Sequence, residues 1–435
     1  MAAAARLRVQ MAYTESRTGD PSLRTPEDVD LTVHEDLAAI GAEWRAFQQV
    51  ADGTVFQTHE WLSVWQRVIG CREDTRPAIV IGRDRAGATL FLLPLATRRA
   101  RFCRELVWLG SDLCDYNGPL LAPGFSAVLD AAGFARLWTR IDREIRKSPR
   151  LVHDFARLEK MSAMVGAQPN PMLFLPTSPH PSGAYLTRLA PSWDEFYGTK
   201  RSSDTRQRDR SKRKRLNALG EVRLDEPEGQ VAVLRALETL MRQKSGSFAR
   251  MGVSNLFEKP GYAEFYTALA TAPETTRLVH VSQLKVGDEA AAVNVGLTFR
   301  GRYYHLLASH TDNQRMARFG PGATHMHEIL RRAIDSGHEY FDFTIGDEKY
   351  KTDWCDDRQV LRDHVRASSL RGAIGAWLVK AHARIKRLIK QTPFLWEAFR
   401  KARAAAARFR PRNNAGSAPP LPVEPLTQSE VESSS

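Results

Sequence analysis

The sequence is poor in cysteine, with Cys71, Cys103, Cys114 and Cys355 spread over 435 residues. Neither the density of a disulfide scaffold nor paired metal-ligand spacing is present, so these read as reduced cytosolic thiols. No stretch approaches eighteen apolar residues without charge, and the first thirty residues lack the apolar core of a signal peptide. A soluble, cytoplasmic chain is expected. There is no Walker loop, no G-x-G-x-x-G after a strand and no G-x-S-x-G elbow, so nucleotide hydrolysis, dehydrogenation and serine hydrolysis are unsupported. His325 and His327 stand two apart on a predicted helix and so point to different sides. Zinc helices need histidines four apart, so these two are expected to be solvated or capping, and no metal is expected.

What is present is length, apolar patterning and unevenly placed basic charge. The length implies two domains of about 150 to 200 residues. The formal charge of +13 is concentrated in two segments. Residues 371–412 hold twelve Lys/Arg against Glu397 alone, and residues 200–215 hold nine against Asp204 and Asp209. Elsewhere acids outnumber bases, which argues against a general nucleic-acid coat. Residues 1–29 and 411–435 lack periodicity and are expected to be disordered.

Between these ends the same order of elements occurs twice. Strand "LTVH", helices over "EDLAAIGAEWRAFQQV" and "THEWLSVWQRVIG", three strands, helix "SAVLDAAGFARLWTRIDREIRK" and strand "LVHDFARL" form the first copy, within 30–175. After the Pro-rich "AQPNPMLFLPTSPHPSG" come strand "AYLTRLA", helices at 203–219, 230–245 and 260–270, three strands, a helix at 322–336 and strand "YFDFTIG", within 183–370. Repeated element order is a sign of duplication. Three strands in tight succession and a helical crossover to a fourth imply an α/β fold, each domain a mixed, mainly antiparallel sheet flanked by helices. The parallel pair then opens a crevice at its carboxyl ends, placing Ala308, Ser309 and His310 beside Thr344 to Glu348.

Two motifs border that crevice. In "DNQRMARFGPGATHMHEILRRAIDSG", Ala323, Met326, Ile329, Leu330, Ala333 and Ile334 make one helical stripe starting at Pro321. The helix N-terminus, with Gly320, Gly322, Arg315 and Arg318 near it, suits a diphosphate; a plain turn is the competing reading. In "EYFDFTIGDEKYKTDW", alternation sends Phe341, Phe343 and Ile345 to one face and Tyr340, Asp342 and Thr344 to the other. Asp342 then needs a partner such as Lys349 or Lys351, for catalysis or for order in the loop.

The basic run 200–215 reads as a solvated helix face in preference to an anion groove. In residues 371–410 two helical patterns are split by Pro393, and Ile374, Trp377, Leu378, Ala381, Ile385 and Leu388 form one stripe flanked by Lys380, Arg384 and Arg387. This composition fits either an interfacial helix at the inner face of a membrane or docking on the protein itself.

The runs "FQTHEWLSVWQRVIG", "LFLLPLATRR", "LVWLGSDLCDYNGPLLAP" and "GPGATHMHEILRRAIDSGHEYFDFTIGDEKYKTDW" resemble the CelD/BcsL-like acyltransferases of the GNAT superfamily, over about residues 30–370. That family is linked to exopolysaccharide production and related to FemAB-type aminoacyl transferases. The resemblance implies two tandem GNAT-like domains and acetyl-CoA or another acyl-CoA as donor. It places the donor pyrophosphate at Arg315, Arg318, Gly320, Gly322, Ala323 and Ser309, although Ala317 stands where the family's loop has a basic residue. For direct transfer to an amine or a glycan-linked acceptor, Asp342 is the candidate base or amine-orienting group, Lys351 the candidate for stabilising the oxyanion and Tyr350 the candidate for protonating the leaving thiolate. The alternatives are an aminoacyl-tRNA donor contacting 200–215, and a non-catalytic scaffold binding a membrane-associated glycan synthase.

Overall fold

The computed structural model describes residues 28–100 and 102–391. Its first half runs β1 (Asp30–His34), α1 (Gly41–Val50), α2 (His59–Trp65, followed by a π turn Gln66–Gly70), β2 (Arg76–Arg83), β3 (Thr89–Ala100), β4 (Cys103–Trp108), β5 (Leu120–Leu121), α3 (Ala131–Arg146) and β6 (Phe155–Met161). A hairpin of β7 (Met164–Val165) and β8 (Gln168–Pro169) leads to β9 (Ser178–Arg188), α4 (Trp193–Lys200), α5 (Ser203–Asn217), β10 (Val222–Asp225), α6 (Gly229–Met251) and α7 (Tyr262–Thr271). Then follow β11 (Val279–Val286), β12 (Glu289–Phe299), β13 (Arg302–His310), α8 (Gln314–Ala317), α9 (Pro321–Asp335), β14 (Tyr340–Ile345), α10 (Lys349–Thr352), β15 (Asp357–Ala367) and α11 (Leu370–Gln391).

Thirteen strands make one sheet in the order β1-β2-β3-β4-β6-β15-β9-β14-β13-β12-β11-β10, with β5 added on β3. The order is nearly a palindrome. In each half an antiparallel meander ends in a helical crossover, α3 or α9, to a parallel partner: β4 with β6, and β13 with β14. The fold is therefore α/β, two similarly ordered halves in one mostly antiparallel sheet. β3 carries Pro94 in its middle, and this is tolerated because Pro94 falls between the stretches paired with β4 (from Leu95) and with β5 (to Leu92).

Two elements change the sequence-based matching of the copies. The strand at the outer edge of the second half, equivalent to β1, is the four-residue β10, not β9. β9 and β15 instead form the antiparallel seam, and β15, late in the chain, pairs with β6 of the first half. Both strands escape a periodicity reading, β10 by shortness and β15 by its charge, "DRQVLRDHVRA".

The core explains why the halves act together. One cluster joins Trp44, Trp61 and Trp65 of the first half to Leu240, Phe265 and Tyr266 of the second. Edge-to-face contacts cross the seam, Trp61 on Phe265 at 5.0 Å and Phe56 on Tyr304 at 5.8 Å. Such pairs add about 0.5–1.5 kcal/mol each beyond area burial. The outer faces have their own cores, under α3 in the first half and under α9 and α4 in the second.

Candidate active site

The site begins where two parallel strands part. β13 and β14 are paired only at Arg302–Tyr304 with Tyr340–Asp342, although β13 continues to His310. Beyond the last pair a cleft of about 620 Å³ opens, with Ser309 on the β13 wall, Thr344 and Lys351 on the β14 wall and Gly322 at the start of α9.

A bulge shapes the β14 wall. Asp342 and Thr344 pair with the adjacent residues Leu186 and Tyr185 of β9, so Phe343 is the extra residue. Thr344 has φ 60, a costly conformation for a β-branched residue. The expected alternation is therefore broken: Phe341 and Phe343 lie in the α9 core, whereas Ile345 packs against the large core shared by both halves. Gly346 follows at φ 128, a backbone conformation that residues with a Cβ rarely adopt, so glycine suits the exit from the strand.

Asp342 sits behind this wall, 1% exposed and outside the cleft lining. Its Oδ1 accepts from Tyr116 Oη at 2.6 Å and from the Thr344 amide at 2.8 Å, and its Oδ2 accepts from Arg302 Nη1 at 3.3 Å. Burial raises its pKa, against the opposing pull of Arg302. Three donors satisfy a carboxylate that would otherwise be expensive to bury. The partner is Arg302, not the lysines read from the sequence. Lys351 lines the cleft but spends its Nζ on the Ile345 carbonyl at 2.9 Å and on Glu348 at 2.9 Å. Tyr350 also lines the cleft, half-exposed, and burial pushes its hydroxyl pKa above the ordinary range.

Four carboxylates line the cleft, Asp112, Asp115, Glu348 and Asp353, and of these Asp115, from the loop after β4 in the first half, stands beside the Thr344 hydroxyl. Burial raises its pKa to about 6, partly opposed by Lys160 and by a hydrogen bond with the Thr344 side chain. Lys160 clamps that loop by donating to the carbonyls of Ser111 at 2.7 Å and Cys114 at 2.8 Å. On the opposite wall Lys244 of α6 donates to the Ala308 carbonyl at 2.9 Å and has no carboxylate within 4.0 Å among the described residues. Desolvation lowers its pKa.

The histidines differ from expectation. His325 is buried on the cleft wall, 3.1 Å from Ser282 Oγ, because the first turn of α9 packs onto the sheet and does not project into solvent. Burial lowers His305 and His325 to about 3 and His327 to about 4, so all three are neutral at pH 7. Among the described residues no group of three or more His, Cys, Asp or Glu could hold a metal ion.

The phosphate candidates divide. Ser309, Gly322 and Ala323 line the cleft, and Ser309 Oγ donates to Gln243 at 2.8 Å. Gly320 caps α9 at φ 65 outside the lining. Arg315 and Arg318 are exposed on the α8 turn, with Arg318 stacked 4.7 Å from the Phe319 ring, and neither reaches the cleft. In the first turn of α9 Pro321 has no N–H and the Ala323 amide donates to the Gly320 carbonyl at 3.0 Å, so the Gly322 amide is the one left for an anion.

Residues 203–352 match the family model of the acetyltransferase (GNAT) domain. No curated protein matches the chain significantly in sequence. Among solved structures, FemX superposes with TM-score 0.50 at 10% identity, over 78% of this chain and 95% of that one, so the chain shares its fold. A conserved protein of unknown function from Bacteroides thetaiotaomicron VPI-5482 superposes with TM-score 0.47 at 14% identity over 78% and 99%. A tandem GNAT protein from the clavulanic acid biosynthesis pathway does so with TM-score 0.40 at 12% identity over 78% and 99%.

Proposed function

We propose that the chain is an acyl-CoA-dependent N-acyltransferase whose donor lies between the parted ends of β13 and β14. The observation that carries this reading is Asp115, a carboxylate with pKa about 6 facing that cleft across from the α9 N-terminus. A base of that strength is ionised at neutral pH and can accept the proton that a neutral amine sheds as it attacks. The donor supplies an activated thioester carbonyl. Asp115 removes the amine proton as the C–N bond forms and the C–S bond breaks. Lys351 and Lys244 supply positive charge for the developing oxyanion, and Tyr350, kept protonated by its raised pKa, returns a proton to the thiolate. The Gly322 amide at the start of α9 meets the pyrophosphate, while Arg315 and Arg318 stay outside the cleft. Asp342 is a positioning residue: it holds the Thr344 amide, and so the bulge that presents Thr344 to the cleft.

The acceptor is an amine on a small molecule or a glycan, in the setting of cell-envelope or exopolysaccharide synthesis. The four cysteines are unpaired, which suits a reducing cytoplasm. An aminoacyl-tRNA donor is the second reading, favoured by α5, whose Arg208, Arg210, Lys212 and Lys214 are exposed and whose one buried residue is Leu216. Mass spectrometry of ligands retained by the purified protein, followed by titration with acyl-CoA and with aminoacyl-tRNA, separates these readings. CoA binding insensitive to ribonuclease supports the first. Binding of neither donor would leave a scaffold.

A further inference from the structure

Helix α11 docks on its own protein through its smallest residues. It lies against β4, β6, β9 and β15. Gly372, Gly375 and Ala376 are buried there, and a Cβ on Gly372 would fall 1.8 Å from the Asp154 carbonyl oxygen. This face admits close backbone approach and nothing larger.

The large apolar residues point the other way. Leu370 is 90% exposed, Ile374 56%, Trp377 67%, Ile385 59% and Leu388 62%. Their spacing keeps them within an arc of about 100° on the helix, roughly opposite the docked face. An amphipathic helix that needed only its own protein would bury this stripe, so the stripe has another occupant. The charges say which kind. From Arg371 to Gln391 there are six Lys/Arg and no Asp or Glu, and Arg371, Lys380 and Arg384 flank the stripe. A seam for a protein helix would be expected to carry both signs of charge. A cationic border with a tryptophan in the stripe suits anionic headgroups above an acyl layer.

We propose that α11 is an interfacial helix that lays the Ile374–Trp377–Ile385–Leu388 stripe into an anionic lipid surface while the Gly372–Gly375 face stays on the sheet. No helix among the described residues is long and apolar enough to cross a membrane, so the contact is peripheral. It does not depend on the acyl-transfer reading.

The test is co-sedimentation of the full chain with vesicles of equal parts phosphatidylcholine and phosphatidylglycerol, against phosphatidylcholine alone. Binding is expected to the anionic vesicles only, and to fall about tenfold or more as salt rises from about 0.1 to 0.5 M. Trp377→Ser with Ile385→Ser should weaken it about tenfold or more while leaving the melting temperature unchanged, and Trp377→Phe should retain most of it. Equal binding by the double variant, equal binding to neutral vesicles, or no binding by the parent would overturn the proposal. Binding that appears only after truncation beyond Gln391 would mean that residues 392–435 cover the stripe, and would overturn it too.

Discussion

Tyr116 donates a 2.6 Å hydrogen bond to Asp342, joining the loop after β4 to β14 across 226 residues of sequence, with both side chains buried. The bond ties the halves together directly behind the cleft, one residue from Asp115 on one side and two from Thr344 on the other. Removing one partner leaves the other short of a hydrogen bond where water cannot replace it.

Asp342→Asn should therefore act first on stability. It leaves Arg302, which is partly exposed, without its carboxylate, so the cost is expected near the lower end of the roughly 3–5 kcal/mol for a broken buried pair. Tyr116→Phe should cost about 1–2 kcal/mol. Urea denaturation measures both. Normal melting with turnover lost by about 10²-fold would return Asp342 to the role of base.

Asp115→Asn should have the opposite signature. Turnover should fall by roughly 10²-fold or more, and the acid limb of kcat/KM near pH 6 should vanish. Because its folded pKa is raised above 3.8, the folded state binds more protons than the unfolded state between about pH 4 and 6, so Asp115 lowers stability as pH rises through that window. The variant should then melt at a higher temperature than the parent at pH 7 to 8. A variant that is less stable at that pH and still active would sink the assignment.

Two substitutions separate donor grip from chemistry. A Cβ on Gly322 meets the His310 ring at 3.6 Å, an ordinary contact, so Gly322→Ala should fold and bind normally. Gly322→Val places bulk at the first-turn amides and should raise the dissociation constant of the acyl donor, read by calorimetry. Lys244→Met should instead lower kcat by about 10²-fold with little change in donor affinity. If the two effects are interchanged, the phosphate and oxyanion ends of the cleft have been assigned backwards.

The buried histidines set the acid limit of the fold. His305 and His325 have folded pKa values lowered to about 3 from 6.5, so the unfolded chain takes up protons first as pH falls below about 6.5. Stability present above that pH should be lost progressively toward pH 3. His325→Gln should flatten the dependence of melting temperature on pH between 6.5 and 4. An unchanged slope would show that this imidazole is protonated in the folded state.

Most elements, though not β10 and β15, and their twofold order follow from local sequence pattern. Apolar periods of 2 and 3.6 are local, and they were sufficient for β2, β3, β11 to β13, the crossover helix α9 and the approximate strand Tyr340–Ile345. The same local signal placed Ser309, Gly322, Tyr350 and Lys351 at one crevice, because a strand–helix–strand crossover fixes which ends come together. Tertiary structure decided the rest. The bulge at Phe343 and Thr344 broke the alternation that made Asp342 look like a cleft residue, since β9 is paired one residue out of step there. Asp115 was legible only as an acid in a loop; it reaches the cleft because the two halves share one sheet and one core, and desolvation there, not sequence, sets its pKa. For α11 the sequence revealed a stripe but not its direction. That was decided by the close approach of Gly372 to Asp154, which only a face without side chains permits, and which turns the tryptophan and isoleucines outward.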